Sequence, residues 1–200
     1  MKLVIASRNQ HKIKEIKAIL GQISDLEIVS LDDCAVPEIN EDQDTFLGNA
    51  SKKALETAQY IHETVLADDS GLMVDALGGA PGVYSARYAG AGATSRQLCE
   101  KLLRELKDIP AARRTACFTT VLVLASPRKI LHTAEGSCAG LIAETPRGDN
   151  GFGYDPVFYF PPLGKTFAEL SSEEKNTHSH RRRALENLFI QLKSKFSDEH

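Results

Sequence analysis

Leu66-Ala67-Asp68-Asp69-Ser70-Gly71-Leu72 sets two adjacent carboxylates directly behind the apolar run Val65-Leu66-Ala67, and Leu72-Met73-Val74 follows at once. The run Val65–Ala67 reads as a strand that leads into this acidic motif. A buried strand does not ordinarily take two negative charges, because each is expensive to desolvate unless it is paired or metal-bound. In a regular strand Asp68 and Asp69 point to opposite faces, so at most one of them need reach a reacting centre. Spacing alone does not choose between them.

Working outward, strand-like and helix-like patterns alternate. Leu3–Ala6 is a short apolar run. Ile13, Ile16, Ile19 and Leu20 follow at helical spacing, with Gly21 as the expected stop. Leu26–Val29 reads as a strand, and the polar segment from Leu31 to Asp44 with Pro37 as a loop. Phe46, Ala50, Ala54, Ala58 and Ile61 mark one face of a long helix. Gly78-Gly79-Ala80-Pro81-Gly82 predicts a turn-rich loop. Leu98, Leu102, Leu103 and Leu106 predict a helix capped at Thr94 or Ser95. Thr115–Ala125 and Ile130–Ala143 are strand-like, joined through Ser126-Pro127-Arg128-Lys129. Ala184, Leu185, Leu188, Phe189 and Leu192 form the apolar face of a closing helix. Alternation followed by consecutive long strands predicts an α/β fold with a mixed sheet, in one or two lobes.

Composition bounds the function. The 200 residues, 42% of them hydrophobic, suffice for one substantial core. A net charge of −3 gives no basic field for nucleic acid. Cys34, Cys99, Cys117 and Cys138 lie far apart without CxxC spacing, the pattern of free thiols in a reducing compartment rather than a zinc cluster. No run approaches the roughly 20 apolar residues of a membrane span, and Met1–Ala6 is too short for a signal peptide. The expectation is a soluble cytoplasmic protein with no membrane or nucleic-acid partner.

Common motifs fail. Gly164-Lys165-Thr166 resembles the end of a phosphate-binding loop, but Tyr159 stands where that loop needs glycine; Gly90-Ala91-Gly92 does not continue as GxGxxG; His62-Glu63 lacks a second histidine; Asp68–Asp75 lacks calcium-loop spacing. The polar clusters are more informative. Ser7-Arg8-Asn9-Gln10-His11-Lys12 sits between the first strand and the first helix, where backbone N–H groups suit an anion, although an ordinary Asn9 cap reads equally well. Asn49 and Lys53 share one helix face. Glu41 lies in the acidic loop ahead of that helix. Gly151-Phe152-Gly153-Tyr154-Asp155-Pro156 combines close backbone approach with aromatic faces able to stack on a base. Lys175 and His180-Arg181-Arg182-Arg183 precede the closing helix.

Taken together, Ser7-x-Asn9-x-x-Lys12, Thr45-Phe46-x-x-Asn49-Ala50-x-x-Lys53-Ala54, Ala67-Asp68-Asp69-Ser70-Gly71-Leu72, the run Gly78 to Tyr88, Gly151 to Pro156, Lys175-Asn176 and Ser179-His180-Arg181 resemble the inosine triphosphate pyrophosphatase family, its bacterial branch most of all. Gln43 and Asn150 depart from that pattern, standing where glycine is usual. The resemblance implies a single domain over 1–200, with a long central mixed β-sheet, two α/β lobes and the active-site cleft between them, and a homodimer. It implies Mg2+-dependent hydrolysis of noncanonical purine nucleoside triphosphates (ITP, dITP, XTP) to the monophosphate and pyrophosphate, which keeps deaminated purines out of DNA and RNA. It assigns Asp69 as the base that activates water, close to the metal, with Glu41 as second metal ligand and Asp68 as support. Ser7, Arg8, Asn9, Gln10, His11, Lys12, Lys53 and Ser70 fall on the phosphate side by the same resemblance. Phe152 is the stacking ring, Gly153 and Tyr154 shape its wall, and Asp155, Lys175, His180 and Arg181 meet the base. The alternatives are a pyrophosphatase of other modified nucleotides and a non-catalytic nucleotide sensor.

Overall fold

Ile13, Ile16, Ile19 and Leu20 are all buried along one face of α1 (Gln10–Ile23) in the computed structural model, which describes residues 2–23, 27–31 and 36–197. The helix runs through Gly21 rather than stopping there, because that position is exposed and a side chain would meet nothing within 4 Å. Cys34 and the expected strand start at Leu26 lie outside the described residues. The remaining elements are β1 (Lys2–Ala6), β2 (Glu27–Ser30), α2 (Phe46–Ile61), β3 (Val65–Val74), α3 (Ser95–Glu105), β4 (Thr115–Ser126), β5 (Lys129–Ile142), β6 (Phe158–Phe160), β7 (Lys165–Thr166), α4 (Ser172–His178) and α5 (His180–Ser197). The strands form one seven-stranded sheet in the order β2-β1-β3-β4-β5-β6-β7. It is mixed: β1 pairs parallel with β2 and β3, while β6 pairs antiparallel with β5 and β7. The α/β class with a mixed sheet is therefore observed.

The chain divides into two compact units, the first built from Met1–Asp69, Thr120–Gly136 and His180–His200, the second from Ser70–Thr119 and Ser137–Ser179. In the first unit successive strand residues enter two different apolar clusters, as side-chain alternation requires. Leu3 and Ile5 of β1, Leu66 of β3 and Leu122 of β4 pack with Ile13 and Ile16 of α1 and with Ala184, Leu185 and Leu188 of α5. Val4 and Ala6, Val65 and Ala67, and Val121 and Val123 pack instead with Ala50, Ala54 and Ala58 of α2. That helix starts at Thr45, whose side chain accepts the Gly48 N–H at 3.0 Å.

The second unit gathers Leu98, Cys99 and Leu102 of α3 with Phe118, Phe158, Phe160 and Phe167. The Phe118 and Phe158 rings lie 4.5 Å apart and the Phe158 and Phe167 rings 4.8 Å. Thr94 caps α3 in a reciprocal box with Gln97. Asn150, one of the two departures from the resembled pattern, closes a loop there: its N–H donates to Ala168 O at 3.1 Å and its amide to Leu170 O at 2.9 Å.

Candidate active site

Strand β3 does not end at the acidic pair but carries it through to Val74. Because alternate residues face opposite ways, Asp68 follows Leu66 to the face of α1 and α5, and Asp69 follows Val65 and Ala67 to the face of α2. Both are buried, Asp68 at 1% exposure and Asp69 at 5%. What surrounds them differs.

Asp68 is matched by two cations. Lys12 Nζ donates to its Oδ1 at 2.6 Å and Arg181 Nε to its Oδ2 at 2.9 Å. Burial works to raise the Asp68 pKa, but the Arg181 and Lys12 charges outweigh it and hold the carboxyl well below the usual carboxylate range. Arg181 Nη1 in turn donates to Glu15 Oε2. The Arg181 side chain is 1% exposed, and these two carboxylates, against the cost of its own burial, hold it firmly protonated. The four groups lie on three elements: α1 supplies Lys12 and Glu15, one helical turn apart, β3 supplies Asp68, and α5 supplies Arg181 in its first turn.

Asp69 has the opposite balance. Its pKa is raised, chiefly by burial and further by the charge of Glu41, while Lys12 and Lys53 pull it down. Lys53, on α2, donates to Glu41 Oε1. One turn before Lys53 stands the buried Asn49, whose Oδ1 accepts the Gln43 N–H at 2.9 Å and so ties down the loop after Glu41. A buried carboxylate of raised pKa with two lysines and a second carboxylate around it suits a group that accepts a proton beside a phosphate ester or anhydride.

At the start of α1, Asn9 Oδ1 accepts the N–H groups of His11 at 3.0 Å and Lys12 at 3.2 Å, and Ser7 Oγ accepts the Asn9 N–H at 3.2 Å. This is the ordinary cap. Arg8 donates to Val36 O, and Gln10 and His11 are exposed. His180, at 4% exposure, opens α5.

In the second unit, Ser70 continues β3 directly after Asp69. Asp155 is 2% exposed; its Oδ2 accepts the Phe152 N–H at 2.9 Å and the Lys175 ammonium, and that ammonium stands 4.7 Å from the Phe152 ring centre. Gly151 makes this fold-back feasible: at φ +75° a Cβ there would sit 2.1 Å from Asp155 Oδ2. Tyr154, buried, donates its hydroxyl to Ser85 O at 2.8 Å. Lys175 belongs to α4, which the sequence reading passed over, although Ser171 and Glu174 form a capping box that marks its start.

The sequence reading therefore named residues that the first unit brings together (Lys12, Glu41, Lys53, Asp68, Asp69, Arg181) and others that the second unit brings together (Phe152, Asp155, Lys175). It missed Glu15, which has no local signal because its meaning is a tertiary contact with Arg181. It noticed Asn49 without giving it work, and Ser85 and Ser95 gained partners only through folding.

The profile of the Ham1 family matches residues 3–191. A dITP/XTP pyrophosphatase of Leuconostoc mesenteroides is 51% identical over 191 residues, covering 94% of each chain. One from Shouchella clausii is 50% identical over 185 residues, covering 92% of each. Among solved structures, a HAM1 protein from Coxiella burnetii matches with a TM-score of 0.87 at 40% identity, over 97% of this chain and 99% of that one. The Staphylococcus aureus Ham1 protein gives 0.86 at 40% identity, over 98% and 100%. With a family profile over nearly its full length and relatives about half identical throughout, the chain belongs to the Ham1 family.

Proposed function

We infer that the protein is a nucleoside triphosphate pyrophosphatase that hydrolyses noncanonical purine nucleotides, ITP, dITP and XTP, at the α–β phosphoanhydride bond. The observation that carries this reading is the setting of Asp69, a buried carboxylate of raised pKa beside Lys12, Lys53 and Glu41. The relatives named as dITP/XTP pyrophosphatases, matched over nearly the whole chain, supply the substrate class.

Asp69 takes the proton of the attacking water, and Lys12 and Lys53 offset the charge of the phosphates. Ser7, Arg8, Asn9, Gln10, His11 and Ser70 lie on the phosphate side, and Phe152 stacks on the purine with Gly153 and Tyr154 behind it. Asp155, Lys175, His180 and Arg181 serve the base. The reading gives Arg181 a second task, since its guanidinium already fixes Asp68.

Mg2+ fits the donor set: Asp69 and Glu41 are hard oxygen ligands whose mutual repulsion a cation relieves. Among the described residues no group of three or more His, Cys, Asp or Glu could hold an ion, so two carboxylates would leave the rest of the shell to water and substrate phosphates, as Mg2+ favours. When bound, Mg2+ supplies charge neutralisation at the phosphates. Among the described residues no helix is long and apolar enough to cross a membrane, and the proposal places the enzyme in the cytoplasm as a homodimer and single catalytic domain acting on free nucleotides.

Pyrophosphate release is expected from ITP, dITP and XTP far above that from ATP or GTP, to be abolished by EDTA and restored by Mg2+. A panel showing no preference for the deaminated purines would overturn the substrate assignment, and nucleotide binding without turnover would turn the reading to a sensor.

A further inference from the structure

Gly153 stands between the two aromatic residues Phe152 and Tyr154, in a left-handed conformation at φ +61°. Nothing lies within 4 Å of where its side chain would be, so the backbone conformation rather than crowding calls for glycine. Both of its own backbone polar groups meet side chains of α3. Its N–H donates to Ser95 Oγ at 2.8 Å, and its carbonyl accepts from Cys99 Sγ at 3.4 Å. Ser95 and Cys99 are four residues apart, hence on one face of α3. That helix is itself anchored: Leu98, Cys99 and Leu102 are buried, and the Thr94–Gln97 box fixes its first turn.

We propose that Ser95 and Cys99 are positioning residues that grip both edges of Gly153 and thereby hold Phe152 and Tyr154 where the purine is read, so that α3 sets base selectivity without touching the base. This rests on the pyrophosphatase reading above. The grip complements the other ties of the same turn, Asp155 to the Phe152 N–H and Tyr154 to Ser85. Phe152 is half-buried with the Lys175 ammonium over its ring, and the backbone of this turn sets where that ring sits. The Cys99 thiol is pushed up to about 12 by burial and by the nearby Asp155 charge, so at neutral pH it stays a neutral donor. A thiol in that state is unreactive towards alkylation, which needs the thiolate.

The test uses Ser95→Ala, which removes the acceptor, and Cys99→Ala, which removes the donor without adding volume to the buried site, with Ser95→Thr and Cys99→Ser as conservative counterparts. KM for ITP is expected to rise about 3–10-fold in each disrupted variant, the loss typical of one hydrogen bond, with a smaller fall in kcat and a narrowed ITP-to-ATP ratio of kcat/KM. Ser95→Thr and Cys99→Ser should recover most of the wild-type ratio, and melting temperatures should stay close together. Iodoacetamide labelling of Cys99, followed by mass spectrometry, should be slow in the wild type and faster in Ser95→Ala. Wild-type KM and wild-type selectivity in both disrupted variants would overturn the proposal, as would a loss that the conservative variants share. If the wild-type enzyme itself shows no preference for ITP, the pyrophosphatase reading falls and takes the selectivity role with it. Labelling then still decides the grip, which is rejected if Ser95→Ala leaves Cys99 as protected as before.

Discussion

Replacing Asp69 with asparagine keeps the shape of the side chain but removes its ability to accept a proton from water. Turnover is expected to fall about 10²–10⁴-fold while the melting temperature holds or rises, since the substitution relieves a buried charge of raised pKa. Pyrophosphate assays paired with thermal melts check this, and a folded variant of near-normal kcat contradicts the assignment. Asp68→Asn should behave differently, because Asp68 joins Lys12 and Arg181. Breaking such a buried network is expected to cost about 3–5 kcal/mol. The folded pKa of Asp68 is depressed, so its stabilisation is fully present above the unfolded value of about 3.9 and is lost progressively as pH falls below it. The stability gap between wild type and Asp68→Asn, from denaturant melts at several pH values, should therefore be constant above about pH 5 and shrink below about pH 4. A gap that widens in acid contradicts this account. Two adjacent charges thus have two different settings, one carboxylate neutralised by fixed cations and the other buried with a raised pKa beside Glu41 and two lysines.

At the scale of elements, α5 meets β5 through Gly136. A Cβ there would lie 2.2 Å from Ala184 N and 2.3 Å from His180 O, backbone atoms that cannot turn aside. Gly136→Ala is expected to push away the first turn of α5, which carries His180 and Arg181, at a cost of about 1–3 kcal/mol or more. Gly21→Ala is the control: it lies inside α1 with open space around it and should stabilise by about 0.5–1 kcal/mol. Equal melting temperatures for the two variants would contradict the contact. The difference between these glycines also shows what the sequence carried. Helical spacing in α1 and α2 and the apolar runs of β1, β3, β4 and β5 were legible, because one buried face imposes a period on its own segment. Gly21 was misread as a stop because a glycine reads alike whether it ends a helix or lies exposed within one. The short β6 and β7, of three and two residues, exist through pairing with β5 and with each other, and too few residues alternate for a period to show.

For the whole molecule, the site residues were legible as motifs while their partnerships were not. Lys12, Asp68 and Arg181 could each be picked out, but that Arg181 spans Asp68 and Glu15 across 113 and 166 residues of chain is a fact of folding alone. That long reach also makes a prediction. A chain ended after Ser179 keeps every residue of the second unit but lacks α5, whose Ala184, Leu185 and Leu188 belong to the first unit's core. Its first unit is expected not to fold, seen as lost amide protection in β1 and α1 by hydrogen exchange, and protection like that of the full chain would contradict the interleaving. The same threading bears on how the protein is made. Ribosomes deliver a chain from its N-terminus at about 5–20 residues per second, and early segments usually fold first. Here the order is inverted: β1 and α1 are made well before α5, on which their core depends, and every segment of the second unit is made in between. The Asp68 carboxylate therefore stays without its Arg181 counter-charge until α5 has been made, so the charged end of β3 settles only after the whole second unit is in place.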